Sequence, residues 1–199
     1  MEINFKDQLI KLLKDPNYLA IMLGSCLIIS STTVFPTIME QVLLPYHYPS
    51  TLCDTYGVVF NACGIGFGLV TMILLNKTHA FKTFTIVITV MTALSYILLQ
   101  YSVGYHKPHW LTTIAICLCG GFGIASYSVV YEYTVEVTPG VGESLSCGIL
   151  NMMLNVFSLI CILIYQGLVP PMDTLMVAVV ILYIILVLAL AAFLYGKQK

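Results

Sequence analysis

Residues 144–165 read SLSCGILNMMLNVFSLICILIY, and this stretch contains no Asp, Glu, Lys or Arg. A helix needs about 20 consecutive, mostly apolar residues to cross the hydrocarbon core of a bilayer, which is about 30 Å thick. A membrane β-strand would instead alternate apolar and polar residues over about ten positions. Because this apolar run is continuous, it predicts a transmembrane helix.

Further apolar runs of similar length precede and follow it, separated by short polar breaks. They are Tyr18–Leu44, Thr55–Leu75, Thr83–Tyr101, Leu111–Val130 and Thr174–Tyr195. The predicted fold class is therefore all-α, a polytopic membrane protein with six transmembrane helices. The bundle is expected to occupy residues 16–195, between an amphipathic N-terminal segment (1–15) and a short tail (196–199).

Composition excludes several classes of protein. Hydrophobic residues make up 59% of the chain and charged residues 9%, whereas a soluble domain has about 25% charged residues. The net charge is −1 and the basic residues are not clustered, so we expect no nucleic-acid partner. No nucleophile–base pair or metal-ligand quartet stands out. We therefore predict no enzyme activity, no catalytic residue, no metal and no cofactor.

The distribution of lysines predicts the orientation. With the N-terminus in the cytosol, the outer loops contain only Lys107, and every other lysine is on the inner side. Cytoplasmic loops of membrane proteins carry an excess of lysine and arginine. Both termini are therefore predicted to be cytosolic. The first fifteen residues, MEINFKDQLIKLLKD, have the pattern of a helix that lies on the inner membrane surface and contacts lipid.

The fifth predicted helix has a polar face. Ser144, Gly148, Asn151, Asn155 and Ser158 recur at intervals of three and four residues, which places them on one side of a helix. Asn155 falls near the bilayer midplane, where transporters bind their substrates. The face can line a cavity, or it can hydrogen-bond to a neighbouring helix.

The first predicted helix is also polar at mid-depth, where Ser30-Ser31-Thr32-Thr33 precedes Phe35 and Pro36. A proline removes a backbone hydrogen bond, and interrupted helices often border substrate cavities. The alternative is a packing kink in which the hydroxyls bond back to their own helix.

Glycine pairs and acidic pairs complete the pattern. Gly64 and Gly68, and likewise Gly121 with Ala125, have the small-xxx-small spacing that lets helix backbones approach closely. Glu132 and Glu136 stand one turn apart near the inner end of the fourth predicted helix. We expect them to act as a gate or in loop contacts rather than as a buried proton relay.

The stretch from Gly120 to Gly167, GGFGIASYSVVYEYTVEVTPGVGESLSCGILNMMLNVFSLICILIYQG, resembles the tenth and eleventh helices of the feline leukaemia virus subgroup C receptor family. This family belongs to the major facilitator superfamily and is similar to transporters of choline, ethanolamine or haem. The matching positions are Glu132, Glu136, Thr138, Gly148, Ile149, Leu150 and Asn151. The segments LLNKTHAFK (74–82) and TIMEQ (37–41) resemble the family's eighth-to-ninth loop and the outer end of its seventh helix.

The resemblance implies the C-terminal six-helix half of a facilitator-type transporter. It implies substrate-binding roles for Asn155, at the position of the family's eleventh-helix glutamine, and for Asn151. Thr33 falls at the position of the family's seventh-helix aromatic residue, with Phe35 two residues later. No lysine lies at membrane depth, so we expect a small cationic or neutral organic solute, choline-like or ethanolamine-like.

Two hypotheses about the assembly remain open. In the first, two copies of the chain, or this chain with another six-helix bundle, enclose a transport path that operates by alternating access. In the second, the chain is a non-transporting membrane partner, or a fragment of a full-length transporter.

Overall fold

A computed structural model describes residues 5–78, 80–104 and 108–168, and every regular element in these ranges is helical. The helices are α1 (Phe5–Lys14), α2 (Pro16–Leu43), α3 (Ser50–Thr78), α4 (Phe81–Gly104), α5 (His109–Val137) and α6 (Glu143–Leu168), with a 3₁₀ turn at Leu44–Tyr46. Five of these, α2 to α6, are long and apolar enough to cross a membrane. The predicted all-α membrane bundle is confirmed, and five of its spans are present.

The remaining predictions of topology are only partly covered by the structure. The sixth predicted span, Thr174–Tyr195, lies outside the described residues, as do the tail 196–199 and Lys107. The observed helices are longer than the predicted apolar runs, because polar residues at the membrane interface continue each helix. Thus α3 begins at Ser50 rather than Thr55, and α5 ends at Val137 rather than Val130.

Local sequence explains where the helices begin and turn. The Asp15 carboxylate accepts a hydrogen bond from Asn17 N at 2.9 Å, and Pro16 occupies the first turn of α2, a combination that favours helix initiation. His47, after the 3₁₀ turn, has a left-handed φ of 64°, and Gly140, between α5 and α6, has a φ of 86°. Glycine adopts this conformation without a steric cost.

The most enclosed helix is α2. It packs against α3, α5 and α6. In its 18-residue apolar stretch 72% of the residues are buried, compared with 22% in that of α3 and 17% in that of α6. Among its fully buried side chains are Cys26, Ile28 and Val34. The helix therefore forms the centre of the described bundle, and it continues through Pro36 without a break.

Outside this centre, large apolar side chains point away from the bundle. Val58, Ile65, Leu69, Val70 and Ile73 on α3 are each more than half exposed, as are Met152, Leu159 and Leu163 on α6. A soluble monomer rarely exposes apolar patches of this extent. The surface is that of a multi-pass membrane protein whose helices contact lipid.

Glycines bring α3 and α5 into close contact. A Cβ atom built on Gly120 would overlap the Phe60 carbonyl group, and one on Gly64 would lie 2.8 Å from the Ile124 Cβ. A Cβ on Gly121 would come within 2.9 Å of the Phe67 ring. Only the absence of side chains lets the two backbones approach this closely. Gly68 leaves more room, since the nearest atom, Ser128 Oγ, would be 3.9 Å away.

Within the N-terminal segment, residues 5–14 form α1, and its position on the membrane surface stays a prediction. Leu12 is 2% exposed, and Gln8 Oε1 accepts a hydrogen bond of 3.5 Å from Gly142 N in the turn between α5 and α6. Ile10 and Leu13 remain exposed. One face of α1 therefore packs on the bundle, and the other is free to contact lipid.

Substitution of Gly120 by alanine should destabilise the bundle, because the new methyl group meets Phe60 backbone atoms that cannot move aside. Overpacking of this kind costs about 1–3 kcal/mol. The matched control is Gly66→Ala on α3, where no atom lies within 4 Å of the added methyl group. Thermal unfolding in detergent should show a lower melting temperature for Gly120→Ala only. Equal melting temperatures for the two variants would contradict the close contact.

Candidate functional site

The exposed residues of α2 differ from the lipid-facing residues of the other helices. Between Ser30 and Leu43, the exposed positions are Thr33, Thr37, Glu40 and Gln41, all of them polar. The two threonine hydroxyls donate to carbonyls of their own helix, but the Glu40 carboxylate would be costly in hydrocarbon. This part of α2 must therefore face water or another protein surface.

The polar cluster of α2 divides into a buried and an exposed part. Ser30, Ser31 and Thr32 are buried, and their hydroxyls donate to carbonyls of the preceding turn, Cys26 O for Ser30 and Ile28 O for the other two. Thr33 is exposed; its Oγ1 donates to Ile29 O at 2.9 Å and lies 2.8 Å from the Tyr127 hydroxyl on α5. Of the four hydroxyls in this cluster, that of Thr33 lies beside a hydroxyl group of a neighbouring helix.

On α6, the structure brings the two predicted asparagines together. Tyr131 on α5 donates its hydroxyl to Asn151 Oδ1 at 3.2 Å. Asn155 Nδ2 donates to Asn151 O at 2.8 Å and lies 3.3 Å from Asn151 Oδ1. Both asparagines are exposed, and within the described residues Asn155 Oδ1 accepts no hydrogen bond. That oxygen is available to a ligand.

These side chains form one continuous surface feature. Tyr127 and Tyr131 lie one turn apart on α5 and connect the exposed side of α2 to that of α6. We call this feature the polar strip, and it consists of Thr33, Thr37, Glu40, Tyr127, Tyr131, Asn151 and Asn155. It contains hydroxyls, amides and one carboxylate, but no basic group.

At the outer end, defined by the predicted orientation, the polar strip borders a cavity between α2 and α3. The cavity has a volume of about 590 Å³, and its lining includes Thr37, Glu40, Asp54, Gly57 and Asn61. Two of these side chains are carboxylates, and no lysine belongs to the lining. The electrostatic potential of the cavity therefore favours cations over anions.

Comparison with known proteins gives a consistent result. No family model matches the chain. Over 161 residues it is 22% identical to the choline/ethanolamine transporter FLVCR2 of Rattus norvegicus, and this match covers 80% of the chain and 29% of the relative. It is 26% identical over 164 residues to solute carrier family 49 member A3 of Xenopus tropicalis, covering 82% of the chain and 34% of the relative.

The chain resembles membrane transporters. A third match, to solute carrier family 49 member A3 of Danio rerio, has 25% identity over 141 residues, or 70% of the chain and 29% of the relative. The predicted resemblance to the feline leukaemia virus subgroup C receptor family is confirmed. The chain spans about a third of the length of the curated relatives that it matches.

Phe35 is placed differently from the other predicted site residues. Its side chain is 2% exposed, and its ring packs against Phe60 at 5.9 Å and Tyr96 at 5.4 Å between centroids. It lies in the interior of the bundle and not on the polar strip with Thr33, Asn151 and Asn155. The role of Phe35 in substrate binding stays a prediction, and its buried position does not favour that role.

Glu132 and Glu136 lie near the predicted inner end of α5, beyond Tyr131. Glu132 is half-buried and Glu136 is exposed. They follow the polar strip towards that end, and their role as a gate or in loop contacts stays a prediction. Among the residues that the structure describes, no three His, Cys, Asp or Glu side chains group as possible metal ligands.

Sequence reasoning missed two contributors to the site, Tyr131 and Asn61. Tyr131 follows Tyr127 by four residues, and Asn61 follows Asp54 by seven, so each pair shares a helix face. This spacing was visible in the sequence. The sequence does not show which neighbouring helix each face contacts, because residue spacing determines the direction of a face but not its partner.

Proposed function

We propose that this chain forms one wall of a path through which a small organic solute crosses the membrane. The polar strip supports this proposal most directly, because it is a row of hydrogen-bonding groups across α2, α5 and α6, whereas the large exposed side chains of α3 and α6 are apolar. The matched relatives, among them a choline/ethanolamine transporter, support transport over an unrelated membrane role.

The described helices leave the polar strip uncovered. The Glu40 carboxylate and the unbonded Asn155 Oδ1 would each cost several kcal/mol in hydrocarbon, so water or another protein surface should face the strip. We infer that a second six-helix bundle provides this surface, either another copy of the chain or a different chain. Transport then proceeds by rocking of the two bundles about a central site, which is alternating access.

The charges favour a cationic or neutral solute. Glu40 and Asp54 line the outer cavity, where they attract cations and concentrate them. Tyr127 and Tyr131 can offer the faces of their rings to a quaternary or primary ammonium group, a contact of about 0.5–2 kcal/mol. A choline-like or ethanolamine-like compound also has a hydroxyl group, which can donate a hydrogen bond to Asn155 Oδ1.

Substitution of Asn155 by alanine should weaken solute binding with little loss of stability, because the side chain is exposed and bonds only within its own helix. The expected loss is about 1–3 kcal/mol, or about 5–150-fold in affinity. Asn155→Gln, which introduces the glutamine expected at this position from the resemblance to the family, should retain binding. Uptake of labelled choline-like and neutral solutes into proteoliposomes measures the effect.

Two controls make this test specific. Val156→Ala shortens an exposed apolar side chain one residue away and should leave uptake unchanged. Melting temperatures in detergent separate lost binding from lost folding. Normal uptake by a stable Asn155→Ala protein would remove this residue from the proposed site.

Neutralising the cavity carboxylates should affect charged solutes selectively. The double variant Glu40→Gln with Asp54→Asn should raise KM for a cationic solute, by about 5-fold for each kcal/mol of lost attraction. The effect should shrink as salt concentration rises, and KM for an uncharged solute should not change. Glu143→Gln, at the far end of α6, is the control. Equal effects on charged and uncharged solutes would refute the electrostatic role.

The oligomeric state separates the proposal from its rival, a non-transporting membrane partner. Purification in mild detergent, with mass measured by light scattering, should give a homodimer or a stable pair with another six-helix chain. A monomer would favour the rival. A complex with a full-length relative would also favour it, if this chain contributes nothing to solute uptake by that complex.

A further inference from the structure

Two cysteine side chains meet where α3 and α5 are in closest contact. The Cys117 thiol on α5 donates to the Cys63 sulfur on α3, and the two sulfurs are 2.7 Å apart. Cys63 precedes Gly64, and Cys117 lies three residues before Gly120, so glycines that bring the backbones together flank the pair. The pairing therefore follows from the helix contact and not from flexible side chains that happen to touch.

The accessibility of these two cysteines sets them apart from several others. Cys26, Cys53 and Cys119 are buried in the bundle, whereas Cys63 and Cys117 are each partly exposed. Cys147 and Cys161 on α6 are also partly exposed, but the described structure pairs neither of them with a second thiol. Only Cys63 and Cys117 combine access for a small reagent with a partner in contact.

We propose that Cys63 and Cys117 form a redox-active dithiol, which an organic hydroperoxide of membrane-permeant size converts to an intramolecular disulfide. One sulfur attacks the peroxide oxygen, the O–O bond breaks, and an alcohol leaves as that cysteine becomes a sulfenic acid. The second sulfur then attacks the first, an S–S bond forms, and water leaves. The two thiols lose two electrons and two protons, and the hydroperoxide is reduced to alcohol and water.

The helix geometry favours the second step over competing reactions. A disulfide holds its two sulfurs about 2.05 Å apart, and those of Cys63 and Cys117 are already 2.7 Å apart. A sulfenic acid with a thiol in contact condenses with it, whereas an isolated one is open to further oxidation. The product connects two helices that already pack together, so the fold need not change.

The test uses the full chain in lipid nanodiscs, treated with tert-butyl hydroperoxide. After free thiols are blocked with a maleimide, proteolysis without reductant and mass spectrometry should recover the Cys63 and Cys117 peptides linked together. Their combined mass should be lower by about 2 Da, the two hydrogens lost. A membrane-permeant reductant should restore two thiols that the maleimide can label. Cys161→Ser, a partly exposed cysteine without a thiol partner, should leave formation of the link unchanged.

Cys117→Ser should abolish the link, with folding verified by gel filtration and melting temperature. The proposal would be overturned if the Cys63 and Cys117 peptides were recovered separately, each with its thiol labelled by maleimide, under conditions that oxidise Cys161. A link from Cys63 to a second molecule of the chain would overturn it as well. None of these readouts measures transport, so the result stands apart from the proposed function.

Discussion

Hydrocarbon contains no water, and this constraint governs how the bundle treats its polar groups. On α4, four buried hydroxyls each donate to the carbonyl four residues earlier in the same helix, those of Thr85, Thr89, Thr92 and Ser95. Hydroxyls satisfied in this way require nothing from neighbouring helices. They also do little to hold one helix against another. Cohesion in the bundle must therefore come mainly from close packing, which is the role of the glycines between α3 and α5.

The polar strip differs from the buried hydroxyl contacts between helices, such as those from Tyr18 to Ser146 O and from Tyr96 to Ser31 O, because it lies at the surface. Thr33 and Tyr127 connect α2 to α5, and Tyr131 and Asn151 connect α5 to α6. These contacts join different helices while leaving the groups exposed, and Asn155 Oδ1 remains unbonded within the described structure. A bundle that elsewhere satisfies hydroxyls internally keeps these groups at its surface. Such a surface is stable in a membrane only if water or another protein surface covers it.

The sequence was sufficient to predict the helices and some faces, but not their partners. Five spans and the polar face of α6 follow from apolar runs and from spacing, since both depend only on local geometry. Gly64 and Gly68 lie one turn apart on the same face of α3, yet only Gly64 is tightly packed. Gly64 faces the large side chain of Ile124, whereas Gly68 faces the small side chain of Ser128. Thr33 and Phe35 are two residues apart and so point to nearly opposite sides of α2. Which side faced the core depended on the packing of α3, α5 and α6 around that helix.

The way the bundle is packed also bears on how it could move. The core of α2 is enclosed by three helices, and α3 and α5 touch through backbone atoms that have no room to slide. Interiors packed this closely shift between discrete arrangements and do not deform continuously. The described helices should therefore move as one body in the proposed rocking cycle. A disulfide between Cys63 and Cys117 would join two parts of that body, so oxidation need not block transport. In the proposed path, motion would then occur at the polar strip, where contacts between bundles can break and form again.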